Sequence, residues 1–583
     1  MERVRKPNVI LVITDDQGYG DLGCTGNSVI QTPHIDQFYR ESVRFTDFHV
    51  GPTCAPTRSG LFTGHYANST GVWHTIGGRS LLRKNEWTIA NAFGEAGYQT
   101  ALFGKWHLGD NAPFRPQDRG FQVTVTHGGG GISQTPDYWG NDYFDDVYSV
   151  NGEYKAFEGY CTDVFFREAV RFIDTCREQP FFCCIATNAP HSPYNVEDRY
   201  ADLYRGSEPE DRARFYGMIT CIDDNFGRLR DKLKELDLEE NTILVFMTDN
   251  GTSCGARFNK QGFLESGYNA GLRGTKGSPY DGGHRVPFFI RCPALGIEGG
   301  RDVERLAANI DYMPTMLDLC GVPVPSERSF HGISLKPLLM REPGAWEPRI
   351  LVTDSQRIAY PEKWRQSAVM NERWRLINGA ELYDMVADRE QRRNVADLHP
   401  LVVEQFRDAY ELWWELVSVR FDETIPIELG GPDSQAVTLT THDWRNEKCE
   451  TAWHQGLVRK GLSANGYYET DVRSAGLYRF ELHRWPREAD RALSDGMEGE
   501  ELVWRKDAIG SKDWEWYSGG CAFSFKEARL QIGDLLYSQP IEPEAQQAVF
   551  TVELEEGETW ITATLDDGER EMGAYYVYVS KLI

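Results

Sequence analysis

Nowhere does the sequence hold an apolar run near the roughly 18 residues that a membrane-spanning helix needs. No spanning helix and no membrane partner are therefore expected. The first residues, MERVRKPNVILVITDD, include basic side chains, but the apolar run is short, ends at Asp15-Asp16 and lacks a small-residue cleavage site. A cytoplasmic protein is expected, or a periplasmic or secreted one if a signal peptide has been removed. Paired cysteines are missing too. The 12 cysteines include no C-x-x-C, which leaves neither a zinc ribbon nor a dense disulfide framework. Cys183 and Cys184 sit inside the apolar run FFCCIA, as in a buried strand. Positive charge is scarce: 62 Lys and Arg stand against 88 Asp and Glu, a net charge of −26. Nucleic acid is excluded as the main partner, because phosphate binding needs a basic surface. An anionic substrate is not excluded. Beyond about 8 Å in physiological salt the distant acidic surface is screened, so a local basic cluster with a divalent cation can dominate its own pocket. No internal repeat or low-complexity segment is visible, and 583 residues suffice for more than one domain with a large core.

What is present begins with NVILVIT, residues 8–14, a continuous β-branched and leucine run that reads as a central strand buried on both faces. It delivers Asp15 and Asp16 to its carboxyl end, where open α/β sheets place their sites. A second apolar run, NTILVFMTDNG, stops in the same way at Asp249 and Asn250. Two strand ends with four oxygen-bearing side chains suit calcium, with magnesium as the alternative, rather than zinc. Taken alone, each is also an ordinary solvated turn. GYGDLG, residues 18–23, satisfies G-x-G-x-x-G, but no helix opens at its end and two aspartates stand where a pyrophosphate would approach. Dinucleotide binding is rejected.

The segment 51–64, GPTCAPTRSGLFTG, organises the rest. Pro56 and Thr57 suit the first turn of a helix, placing Cys54 at its N-terminus, where unpaired N–H groups favour negative charge. Arg58 lies one turn along and reaches back to the same point. A buried structural cysteine before a helix is the alternative. Further along, GYQTALFGKWHLG reads as a strand and loop ending in Lys105 and His107, which share one face if the segment is extended. His191 falls between Pro190 and Pro193, expected as a stiff surface turn. Lys276 lies in the glycine-rich GTKGSPYDGGHRVPF. Residues 110–160 are expected to be irregular and to form a pocket wall or lid. His127, Asp137, Tyr138 and Trp139 there, with His74 and Arg79, are candidate sugar contacts.

C-x-P-x-R followed by L-x-T-G resembles the signature of the type I, formylglycine-dependent sulfatases of the alkaline-phosphatase-like superfamily. The G-K-x-H-x-G, P-H-x-P and G-x-K segments match the same family, as does the ELYD segment at 381–384, so the resemblance spans roughly 6–420. Asp281 stands where the family has Glu, a departure that touches a structural contact. The resemblance implies that Cys54 is oxidised to formylglycine by a formylglycine-generating enzyme, a maturation partner. It also implies that the metal is held by Asp15, Asp16, Asp249, Asn250 and the modified Cys54. In that family the aldehyde hydrate attacks sulfur to give a covalent sulfo-enzyme. Arg58, Lys105 and Lys276 then hold the transferring group, His191 or Lys276 protonates the leaving alcohol, and His107 takes the last proton. The expected substrate is a sulfated carbohydrate. Phosphonate or phosphate ester hydrolysis on the same scaffold is the alternative, and a non-catalytic sulfated-glycan-binding protein is the reading of another class.

The expected fold is α/β: a large mixed sheet flanked by helices over 1–340, a small antiparallel-sheet subdomain over 341–425, and an all-β sandwich over 430–583. The last is inferred from short period-two stretches such as GLYRFELHRW and AVFTVELEEG with Gly or Asp breaks. Its expected role is to wall the active site, with carbohydrate binding as the alternative.

Overall fold

The strand Asn8–Thr14 is buried at every position because both of its faces are covered. Val9, Leu11 and Ile13 point into one hydrophobic cluster, and Ile10 and Val12 into another on the opposite side. It is the fifth strand of a ten-stranded sheet in the computed structural model, which describes residues 6–342, 346–499 and 508–582. Parallel neighbours Phe181–Ala186 and Thr242–Thr248 flank it, and Gln99–Gly104 pairs in parallel beyond the first. Register aligns their ends: Thr14 faces Thr248, Ile13 faces Ala186, and Ala186 also faces Gly104. Asp15, Asp249 and Lys105 each follow one of these aligned positions, so one edge of the sheet receives all three.

The first cluster packs the buried helix Cys54–Thr63, and the second packs Cys161–Cys176 and Glu210–Glu235. The stretch 110–160 is less irregular than its composition implies. Val123–Thr126, Val147–Val150 and Glu153–Ala156 extend the sheet to its edge, with the glycine-rich segment as the loop between them.

A four-stranded antiparallel sheet, Leu351–Asp354 to Glu381–Asp384, packs under the helix Pro400–Ser418. Beyond it, a six-stranded and a four-stranded sheet enclose a core that includes Leu439, Phe480, Leu530, Ile561 and Val577. The first of these strands is Ile427–Leu429, three residues earlier than the composition change. Leu81 and Phe114 from the first third of the chain enter the same core.

Candidate active site

Cys54 is the first residue of the helix Cys54–Thr63, with Thr53 as an extended N-cap. Its side chain is 2% exposed, and burial pushes the thiol upward, away from the thiolate. Around it the strand ends converge. Lys105 Nζ lies 2.7 Å from Asp15 Oδ2, Arg58 Nη2 donates to Asp249 Oδ2 at 2.9 Å, and Lys276 Nζ lies 2.6 Å from Asp16 Oδ1. Asn250 Nδ2 donates to Asp16 Oδ1 at 3.0 Å, and the Asp16 backbone N–H donates to Asp249 Oδ1 at 3.0 Å. Asp16 adopts φ 67°, a left-handed backbone that turns its carboxylate into this cluster.

Three carboxylates and three cations thus pair one to one. Burial raises Asp249 to about 6, helped by the charge of Asp15 and opposed by Arg58. Burial would raise Asp16 as well, but Lys276 and His191 reverse this and hold it well below the usual carboxylate range. Asp15 is raised by burial against the pull of Lys105.

The donor set fits a hard cation. Asp15 Oδ1 and Asn250 Oδ1 are buried without a hydrogen-bond donor among the described residues, which is costly for oxygens that nothing else engages. Ligand atoms of Asp15, Cys54 and Asp249 lie within 4.8 Å of one another. A thiol is the one misfit among hard oxygen donors. An aldehyde in place of the Cys54 thiol would make the set all oxygen. A divalent ion would also take the neutral cluster to a charge of about +2, suited to an anionic ester.

The histidines arrive differently from the sequence expectation. The segment after Gly104 is not extended: His107 has φ 64°, so it and Lys105 do not share a strand face. Lys105 turns to Asp15, while His107 Nε2 donates to Thr75 O at 2.8 Å. That bond leaves Nδ1 buried and without a partner among the described residues. Burial and then Lys105 hold the His107 ring well below its usual range, so it is a neutral acceptor. His191 is only 8% exposed, not on a surface turn, and its Nε2 is 3.7 Å from Asp16 Oδ2. Its Nδ1 donates to Ser192 O at 2.6 Å, and burial lowers it to about 4.

Of the candidate sugar contacts, His127 is at the pocket. Its Nε2 is buried and has no partner among the described residues, and the charges of Lys105, Arg58 and His191 reach it. The Asp137 carboxylate accepts the N–H groups of Gly128 and Ser133 and the Asn141 amide, pinning the loop. Tyr138 packs on Tyr154, and Trp139 on Trp485 and Arg459. His74 and Arg79 lie on the segment that carries Thr75.

Several contributors are invisible in local sequence. Gly130 sits against the His107 ring, where a Cβ would meet Cε1 at 2.3 Å. Gly78 N–H donates to His442 O at 2.7 Å, and Gln455 Nε2 contacts the carbonyls of Gln134, Asp137 and Tyr138. The carboxyl-terminal sheets therefore brace the loops around His107. Asp281 makes its structural contact despite being shorter than Glu: Arg375 Nε donates to it at 3.0 Å, and Arg375 Nη2 donates to Asp47 at 2.8 Å. His49 and His284 meet at 2.8 Å beside them and join the Cys54 loop to the Lys276 loop.

The sequence model described as Sulfatase matches residues 7–322, more than half of the 583. The chain belongs to the sulfatase family. A second model, N-sulphoglucosamine sulphohydrolase, C-terminal, matches residues 275–407 of this sulfatase-family chain. Mouse arylsulfatase J is 27% identical over 64% of the chain and 64% of its own length. Mouse N-acetylgalactosamine-6-sulfatase is 28% identical over 58% of the chain and 66% of its own length. The chain spans just under two thirds of these curated relatives. The crystal structure of Ps i-CgsB in complex with k-i-k-neocarrahexaose superposes with a TM-score of 0.62 at 27% identity, covering 72% of this chain and all of that one.

Proposed function

We propose that this protein hydrolyses a sulfate ester on a sulfated carbohydrate, with Cys54 oxidised to formylglycine. The observation that carries this reading is the buried Cys54 side chain at a helix N-terminus, pushed by burial away from the thiolate and clustered with Arg58, Lys105, Lys276 and four oxygen-bearing side chains. A thiol held in that state is no nucleophile, whereas an oxidised side chain at the same point is well served. The relatives named above support the sulfate ester, and the neocarrahexaose complex and the N-acetylgalactosamine-6-sulfatase support a carbohydrate carrier.

Calcium, or magnesium, held by Asp15, Asp16, Asp249 and Asn250, would supply Lewis-acid charge at the ester oxygens. Lys105 and Lys276 place ammonium groups where negative charge grows in the transition state, and Arg58 keeps Asp249 ionised and oriented. His191 Nε2 or Lys276 Nζ gives the leaving alcohol its proton, and arrival of an anion beside His191 favours its imidazolium. The Nδ1 of His107 accepts a proton in return.

Intact mass tests the modification: protein from a host with the maturation enzyme is expected to weigh about 18 Da less than the sequence, from exchange of the thiol carbon's S–H and H for a carbonyl oxygen. An unshifted mass would favour the binding-protein reading. Turnover of an aryl sulfate should exceed that of the matching aryl phosphonate monoester, and the reverse order would replace the sulfatase by a phosphonate hydrolase. Gly130→Ala should lower kcat about a hundredfold, because a displaced His107 ring costs that much for an ångström of misplacement. An unchanged kcat in a folded Gly130→Ala protein would remove His107 from the mechanism.

A further inference from the structure

Three arginines beside the His107 loop have no carboxylate partner among the described residues. Arg79 Nε donates to Ala359 O at 3.0 Å and Arg365 Nε donates to Gln356 O at 2.8 Å, while the Arg357 guanidinium makes no hydrogen bond or ion pair among the described residues. They are held together by the contact between two segments. Trp73 Nε1 donates to Ile358 O at 3.1 Å, and the Arg79 guanidinium lies 4.7 Å from the Trp73 ring and 5.2 Å from that of Tyr360, which is 61% exposed.

His74 joins them as a neutral donor. Its Nδ1 accepts the N–H groups of Thr75 at 2.6 Å and Ile76 at 3.2 Å, so the proton is on Nε2. Burial and then the charges of Arg357 and Arg365 lower the ring to about 3. Of the nearby acids, Asp354 accepts from Asn68 and Gln356 and Glu469 pairs with Arg445 at 3.0 Å, while the exposed Glu362 on the same loop makes no ion pair with these arginines among the described residues. Clustered cations without counter-charge repel one another, and the loop that presents them is strained. Arg357, Trp364 and Gln366 all have left-handed backbones, at φ 36°, 63° and 43°. The patch adjoins the anion pocket, since the next carbonyl after His74, that of Thr75, holds His107.

We propose that His74, Arg79, Arg357 and Arg365 form a second anion subsite, which takes an acidic substituent on the sugar that bears the scissile sulfate or on its neighbour, with Tyr360 as a stacking face. Guanidinium forks match the oxygens of a sulfate or a carboxylate alike. The substrate class is therefore a glycan with at least two acidic groups. This part rests on the sulfatase reading, whereas the anion binding itself does not.

The test is calorimetric binding to the Cys54→Ala protein with calcium present. One arm compares glucosamine 2-N,6-O-disulfate with glucosamine 6-O-sulfate. The other compares a monosulfated disaccharide that has a uronic acid neighbour with one that has a neutral neighbour. In at least one arm the doubly acidic ligand should bind more tightly. Arg357→Ala and Arg365→Ala should each remove about tenfold of that preference while leaving the singly acidic ligand within about twofold. The arm that responds names the group as sulfate or carboxylate. Equal losses for both members of both pairs, or no loss in either, overturn the subsite. Turnover without Arg357-dependent preference overturns the subsite alone. Arg357-dependent preference in a wild-type protein that cleaves no sulfate ester overturns the sulfatase reading and leaves the subsite standing.

Discussion

Cys54→Ala is expected to abolish sulfate-ester turnover while leaving the fold intact. The thiol has no hydrogen-bond partner among the described residues, and Ala55, Leu61 and Phe62 anchor the helix in the core without it. Loss of one buried sulfur costs on the order of 1 kcal/mol, small beside a domain's stability. Activity should fall far more, by about 10⁴-fold or beyond, because removal of a nucleophile leaves only the charge cluster and binding to act. Lys105, Lys276 and the acidic strand ends remain in place, so the variant should still bind a sulfated ligand. Measurement of both rate and binding separates the outcomes. A variant that folds, binds and still turns over would remove the proposed nucleophile.

Arg375→Ala should produce the largest loss of stability, although Arg375 is far in sequence from Asp15, Cys54 and Lys105. The side chain is fully buried and spans two carboxylates from different segments, Asp47 and Asp281, with Arg285 as their remaining cationic neighbour. Breaking such a buried pair by removing one partner costs about 3–5 kcal/mol, since the charges left behind have lost solvent and partner alike. The pH dependence has a defined sign. Burial would raise both carboxyls, but Arg375 holds them well below the usual range. A depressed carboxyl contributes stability that is complete above its unfolded pKa of about 3.9 and is lost as pH falls through the folded value. Without Arg375, burial dominates and protonation relieves the strain. The difference between variant and parent should therefore be greatest near pH 7 and shrink below about pH 5. Denaturant unfolding at both pH values checks this; a deficit under about 1 kcal/mol at neutral pH, or one unchanged by acid, would count against the network.

The core of the site was readable residue by residue because its signals are local. An apolar run that stops at Asp15-Asp16, another that stops at Asp249-Asn250, and a proline-started helix after Cys54 each carry their meaning within about ten residues. Strand period and helix capping act over that range. The hairpin strands of the small antiparallel sheet and the carboxyl-terminal β-sheets follow from period-two patterns, while the large mixed sheet was expected from the family resemblance.

Tertiary structure alone decided which partners those residues meet. Lys105 finds Asp15 because Gln99–Gly104 and Asn8–Thr14 flank the same strand in register, and no spacing in the chain encodes that. It also decided the direction of His107, whose left-handed backbone turns it to Thr75, and the pinning of a loop by Asp137. Arg375 with Asp47, Gln455 with the 134–138 loop, and the arginines near His74 that lack a carboxylate partner among the described residues lie in segments far apart in sequence or unmarked by any local pattern. Periodicity fixes which face a side chain takes on its own element. Charge pairing, burial and an unsatisfied donor or acceptor exist only once distant elements have packed.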